Sequence, residues 1–281
     1  QDISDFYSND DVYLLTTKPY FELFRSNPYL KAVILDKRLS RFNLIYLFSL
    51  MRVIKKYKFV KVFDLQNSSR TNFYKRILFP NANHIIWSSS DTTLPKDVSK
   101  KEFDKNPVLD RFKHQLETSG IKTSKVMAPD FNWACQNIDE IKHKYKLNKY
   151  IILFPFCSPH LTIKKWPHYN KFVDMVKNKF KDEYQIVVAP GPLELAMTKD
   201  INAIPILNNE KSLTISELAK LIKDSSYVVA NDTGPAHMAA HLGVKGLTLF
   251  GSHTTAYKVS IERENFKAIQ VADLNKLTPE K

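Results

Sequence analysis

Between Tyr227 and Gly251 a strand, a polar turn, a short helix and a second strand follow one another without a break. The run 227–230, Tyr-Val-Val-Ala, is apolar, of strand length and too short for a buried helix. Asn231, Asp232, Thr233 and Gly234 then supply turn and N-cap residues, and Pro235 stands where a first helical residue needs no N–H. The run 236–242 favours a helix, Gly243 is placed to close it, and 245–250 returns as a strand. A helix that opens directly after a strand end offers free backbone N–H groups and the positive end of its dipole, a combination suited to a phosphate. Asp232, Thr233 and His237 would crowd around such an anion.

The same alternation runs through the rest of the chain and predicts an α/β protein with parallel sheets. In the first half, strands are expected at 12–15, 32–35, 59–65 and 84–87, with helices at 19–25, 42–57, 72–79 and 108–119. The polar stretch 88–106 reads as a mobile loop. Residues 121–137 show no clear period and read as a connection, which gives an N-terminal domain over 1–130 and a C-terminal one over 131–281. The second half repeats the pattern, with strands at 150–154, 185–189 and 204–207 and helices at 138–147, 168–180 and 193–199. Thr214-Ile215-Ser216-Glu217 matches a capping box opening a further helix to Ile222. Two Rossmann-like halves facing a cleft are expected, with ligands beyond the carboxyl ends of the strands.

Composition narrows the partners. With 281 residues, 43% of them hydrophobic, the chain can fill two cores. It has no apolar run of about 18 residues that would span a membrane. Cys135 and Cys157 match no zinc spacing and suit a reducing, cytoplasmic setting. The formal charge of +13 favours anionic partners: nucleic acid, an acidic membrane surface or a phosphorylated substrate. No basic run with interleaved aromatics marks a nucleic-acid groove, so no nucleic-acid partner is expected. Arg41, Arg52, Lys55 and Tyr57 are candidates for a phosphorylated lipid headgroup, against the plainer reading of exposed helical charge.

Three loops of the second half leave the same sheet edge. The first holds Ser158, Thr162, Lys164, Lys165 and Trp166. A lysine there would neutralise a diphosphate as a point charge while hydroxyls orient it. The second, Gly191-Pro192-Leu193-Glu194, offers a carboxylate to a ribose, although Glu194 serves equally well as a first-turn residue favouring the helix dipole. The third is Asp232-Thr233-Gly234, where Asp232 as a plain N-cap rivals Asp232 as a ligand contact. Lys164 and Lys165 taken alone read as surface charge, and Trp166 as a packing residue. His237 and His241 have the spacing of half a zinc motif, but Met238 replaces its glutamate and no third ligand follows, so no metal is expected.

Asp232-Thr233-Gly234-Pro235-Ala236-His237-Met238-Ala239-Ala240, with Leu242-Gly243 and Leu249-Phe250-Gly251, resembles the signature of the heptosyltransferase-type glycosyltransferases, family 9. Lys164-Lys165-Trp166-Pro167 resembles that family's Lys-Arg-Trp-Pro segment, and Gly191-Pro192-Leu193-Glu194 its Gly-x-x-Glu turn. The stretch from Leu14 to Pro19 and Asn27-Pro28-Tyr29 are similar to weaker motifs of its N-terminal domain. The resemblance implies a GT-B fold and, without cofactor or metal, transfer of a sugar from a nucleotide-diphosphate donor, commonly ADP-heptose. The acceptor would be a lipid-linked or lipopolysaccharide-core sugar, which allows peripheral contact with the inner face of a membrane. It assigns Lys164 to the diphosphate, Glu194 to the ribose, and Asp232, Thr233, Gly234 and His237 to the phosphates and donor sugar. The family's proposed catalytic base is an aspartate after a first strand. No counterpart is found, so that aspartate is expected upstream of Gln1, with the N-terminal domain lacking its first strand and the chain a fragment. A non-catalytic basic protein bound to nucleic acid or anionic lipid, and a nucleotide-sugar epimerase of the same fold, are the alternatives.

Overall fold

Strand-length apolar runs alternate with helices in the computed structural model, which describes residues 1–79, 85–158, 160–181 and 183–280. These divide into two units, Gln1–Pro129 and Asp130–Lys281.

In the first unit β1 (Tyr13–Thr17) pairs with β2 (Ala32–Asp36), and β3 (Lys61–Phe63) with β4 (Ile86–Ser88). Both pairs are parallel and each forms its own small sheet. The helix Leu44–Lys56 starts where the Asn43 side chain accepts a hydrogen bond from Tyr46 N. It packs Tyr46, Leu47, Leu50 and Ile54 against Ile34 and against Tyr74 and Leu78 of the helix Ser69–Leu78. The strand expected at 84–87 is β4, and His84 lies outside the described residues. The stretch 89–106 is more structured than the mobile loop expected. Its hydroxyls close turns on their own backbone, Ser89 N donating to Thr92 Oγ1 at 2.8 Å and Thr93 Oγ1 to Ser89 O at 2.8 Å. Polar groups satisfied in this way can be buried, as Ser89, Ser90 and Thr93 are, and the helical turn Lys100–Phe103 buries Phe103.

The second unit is built on one parallel sheet of six strands. In chain order these are β5 (Tyr150–Phe154), β6 (Gln185–Val188), β7 (Ile204–Pro205), β8 (Tyr227–Asn231), β9 (Gly246–Phe250) and β10 (Phe266–Gln270). Their spatial order is β10-β9-β8-β5-β6-β7. The chain thus starts at the centre, runs outward through β6 and β7, and returns to build the other side from β8. Winding direction reverses between β5 and β8, and at such a switch point the loops leaving the strands part and open a crevice.

Side-chain alternation sorts the two faces. Tyr150, Ile152, Phe154, Val187, Val228 and Ala230 point to one core, shared with Ala236, Ala239 and Ala240 of the helix Gly234–His241. Ile151, Leu153, Ile186 and Val229 point to the other, packed on Trp166 and on Tyr169, Val173 and Val176 of the helix Tyr169–Phe180. Three alanines on one side let the helix Gly234–His241 lie close to the sheet. The capping box at Thr214 and Glu217 is formed and opens the helix Ile215–Lys223. The helix expected at 193–199 is a 3-10 segment, Leu195–Asp200, in which the Thr198 hydroxyl bonds back to the Leu195 carbonyl at 2.8 Å. Among the described residues no helix is long and apolar enough to cross a membrane.

Candidate functional site

The carboxyl ends of β5 and β8 lie side by side at the switch point, and Asn231 joins the loops that leave them. Asn231 is the last residue of β8 and fully buried. Its Oδ1 accepts from Trp166 N at 3.3 Å and from the Tyr169 hydroxyl at 3.2 Å, while its Nδ2 donates to Pro155 O at 2.8 Å. One amide therefore fixes both ends of the loop from Pro155 to Trp166 against the start of the turn at Asp232. Trp166 is a packing residue, as its sequence context indicated: it is buried and its Nε1 donates to Leu277 O at 2.7 Å.

Held in this way, the loop delivers Lys164 from the 3-10 turn Thr162–Lys164. Lys164 Nζ lies 2.6 Å from Asp232 Oδ2 and 3.3 Å from Asp232 O. The ammonium, 20% exposed, thus pairs with a carboxylate that is 5% exposed. Two imidazoles complete the surroundings of Asp232: His253 Nε2 is 3.0 Å from Oδ2 and His237 Nε2 is 3.6 Å from Oδ1. Burial by itself would raise the pKa of Asp232. The hydrogen bonds of His237, Lys164 and His253 and the charge of Lys164 outweigh it and hold the carboxyl well below the ordinary carboxylate range.

Asp232 is not the N-cap. Thr233 holds that position in extended backbone and makes no side-chain cap bond; its hydroxyl donates to Asn231 O at 3.2 Å instead. The amino end of the helix Gly234–His241 is therefore left without a side-chain cap. Gly234 stands there exposed, and a Cβ built on it would meet nothing within 4 Å. Neither a left-handed backbone nor crowding by the protein calls for a glycine at this place.

Glu194 lies at the start of the segment after β6, with its Oε2 accepting from Gly191 N at 2.7 Å. Oε1 makes no hydrogen bond among the described residues. Burial pushes the nearby Cys157 thiol up, Lys165 pulls it down, Glu194 adds to the rise and Lys164 again lowers it. Lys165, Ser158 and Thr162 are exposed on the same loop, and no side-chain bond ties them to Asp232 or Glu194 among the described residues. Lys164, Asp232, Thr233, Gly234 and His237 thus come together around one helix end, with Glu194 across the edge of the sheet. His241, one turn beyond His237, is packed inward, and burial, with the charge of Arg263 next, pushes its pKa down to about 4. Among the described residues no group of three or more His, Cys, Asp and Glu is placed to hold a metal ion.

The sequence reading missed His253. It lies just past the end of β9, 8% exposed, with its ring stacked on Phe250 at 12° between planes. The signal was positional, a histidine three residues after a strand that ends on the edge where the other candidates lie.

The profile of glycosyltransferase family 9 (heptosyltransferase) matches residues 47–273. No curated protein sequence matches the chain. Among solved structures, Escherichia coli ADP-heptose LPS heptosyltransferase II is similar at 17% identity and a TM-score of 0.70, over 99% of this chain and 89% of that one. E. coli heptosyltransferase WaaC with ADP gives 13% identity and a TM-score of 0.72, over 99% and 90%. The glycosyl transferase family 9 protein from Veillonella parvula gives 18% and 0.66, over 93% and 86%. At these identities the likeness carries the fold, the α/β architecture with parallel sheets seen in GT-B heptosyltransferases.

Proposed function

The chain belongs to glycosyltransferase family 9, and from that membership we propose that it moves a sugar, most simply heptose, from a nucleotide-diphosphate donor such as ADP-heptose to a hydroxyl of a lipopolysaccharide-core-type acceptor. The observation that carries the reading is the uncapped amino end of the helix Gly234–His241, with Lys164 held against it through Asp232. Glycosyl transfer from such a donor releases a nucleoside diphosphate, so the group to be stabilised is the charge growing on its phosphate oxygens. In this reading Lys164 supplies a point charge, the backbone N–H groups from Gly234 onward and the Thr233 hydroxyl supply directed donors, and His237 reaches the donor from the first turn of the helix. These groups stand in place before reaction, so little reorganisation accompanies bond breaking. Glu194 takes a ribose hydroxyl on Oε1, and Leu193 beside it, almost wholly exposed, offers apolar surface to the base. The scheme covers the donor half of the reaction and leaves the proton acceptor for the incoming hydroxyl unassigned. In support, one similar structure, that of WaaC, was solved with ADP.

Calorimetry with ADP, UDP and adenosine tests it on the chain as it stands. ADP is expected to bind in the range of about 1 μM to 1 mM common for enzyme substrates. Adenosine, which brings no phosphate to the helix end, is expected to bind far more weakly. Absence of binding by either diphosphate would remove the reading.

A further inference from the structure

In the proposed reading the Lys164 ammonium serves a diphosphate, yet its Nζ already lies 2.6 Å from Asp232 Oδ2. That carboxylate is 5% exposed, and a buried charge left without a partner is strongly destabilising. One other donor reaches the same oxygen. His253 Nε2 lies 3.0 Å from Oδ2, and since an ionised carboxylate only accepts, Nε2 carries the hydrogen. Nδ1 of that ring is buried and has no partner among the described residues. The ring is also held in place. It stacks on Phe250, and the Gln270 side chain of β10 ties down its loop. Gln270 Nε2 donates to Gly251 O at 2.6 Å and to Thr254 O at 3.2 Å, and its Oε1 accepts from Ala256 N at 3.2 Å. His237 faces Oδ1 instead, at 3.6 Å, and in the proposed reading turns to the donor.

We infer that His253 is a positioning residue for donor binding: it keeps the Asp232 carboxylate hydrogen-bonded while the Lys164 ammonium shifts toward the diphosphate. The imidazole acts through Asp232 and not on the phosphates. With the N–H of His253 removed, drawing the ammonium away would leave a buried carboxylate short of donors. Lys164 would then stay on Asp232, and the diphosphate would bind less tightly. The inference rests on the diphosphate reading of this site. Packing against Phe250 is the competing account of the ring, and it needs only the ring's shape.

Two substitutions separate the accounts. His253→Phe keeps an aromatic ring against Phe250 and removes the donor; His253→Gln removes the ring and keeps an N–H of similar reach. By calorimetry, His253→Phe is expected to weaken ADP binding about tenfold or more, and His253→Gln by less than about threefold. His253→Leu, which also lacks the donor, should match His253→Phe and takes its place if that variant does not fold. Urea denaturation followed by the fluorescence of buried Trp166 reports whether each variant is folded. ADP binding as tight in a folded donor-less variant as in wild type overturns the inference. So does a loss in folded His253→Gln as large as that in His253→Phe or His253→Leu. Either result leaves the proposed function standing, because wild type still binds ADP. Absence of ADP binding by wild type would sink both.

Discussion

Replacing Lys164 by Met is expected to weaken ADP binding about ten- to 150-fold while adenosine binding stays unchanged. A hydrogen bond to a charged partner contributes about 1.5–3 kcal/mol, and about 1.4 kcal/mol corresponds to tenfold in affinity. Lys164 is paired with Asp232, two residues ahead of the uncapped helix, and its side chain is only 20% exposed, so solvent does little to screen it. Lys164→Arg should not restore the affinity. Its planar fork would pair side-on with Asp232 and project past the point that the ammonium occupies. The same substitutions should lower stability by about 1–3 kcal/mol. That is less than the ~3–5 kcal/mol typical when a buried pair loses one member, because His253 and His237 still face the carboxylate. Calorimetry with the two ligands separates the effects: an equal loss for adenosine and ADP would mean that the loop had shifted, and the diphosphate role of Lys164 would be withdrawn.

The second large effect concerns acid. Asp232 has a folded pKa held below its ordinary value, so the folded state binds its proton less readily than the unfolded chain does. The stabilisation this represents is fully present above the unfolded carboxylate value near ~4 and is lost progressively as pH falls from there toward the folded one. Asp232→Asn removes the titration. At neutral pH the variant should lose about 2–4 kcal/mol, since an amide gives Lys164 and His253 only a neutral acceptor. Between neutral pH and about pH 3 it should then lose less further stability than the wild type, leaving the two curves closer at the acid end. Urea denaturation at a series of pH values, followed by the fluorescence of buried Trp166, measures this. Parallel curves for the two proteins would show that Asp232 titrates as it does in the unfolded chain, and the account of its surroundings would fail.

Much of this site is legible in the chain because its parts are local. Tyr150–Phe154 and Tyr227–Asn231 are central strands, covered on both faces over 150–154 and from Val228 onward, and such strands read as unbroken apolar runs. Thr214 and Glu217 carry their capping signal within four residues. Lys164 and Asp232 lie 68 positions apart, yet both follow strands that end on one edge, so alternation alone brings them into the same neighbourhood. What escapes is set by lateral order. Nothing near His253 states that β9 lies beside β8, and only that adjacency brings its imidazole to Asp232. Asn231 reads as a turn residue, whereas it ends the strand with its side chain buried and tied to two segments. β10 escapes for a different reason: it is an edge strand in which Lys267 and Gln270 are exposed, and it follows the charged run Arg263-Glu264, so its apolar content is diluted. Along 89–106 polarity is a poor guide to order, because Ser and Thr hydroxyls bonded to their own turns can be enclosed.

The pairing of Lys164 with Asp232 also gives the crevice a built-in competitor. A visitor does not meet a naked cation; it meets one already neutralised by a carboxylate that is covalently present at every moment and cannot be diluted away. A small monovalent guest merely repeats what that carboxylate does, whereas a guest carrying two linked phosphoryl groups adds negative valence that the helix end and the ammonium can share. Selection by valence follows: acetate and chloride should leave the ADP isotherm where it is, and pyrophosphate should displace it. If acetate competes as well as pyrophosphate, the tethered carboxylate is no gatekeeper.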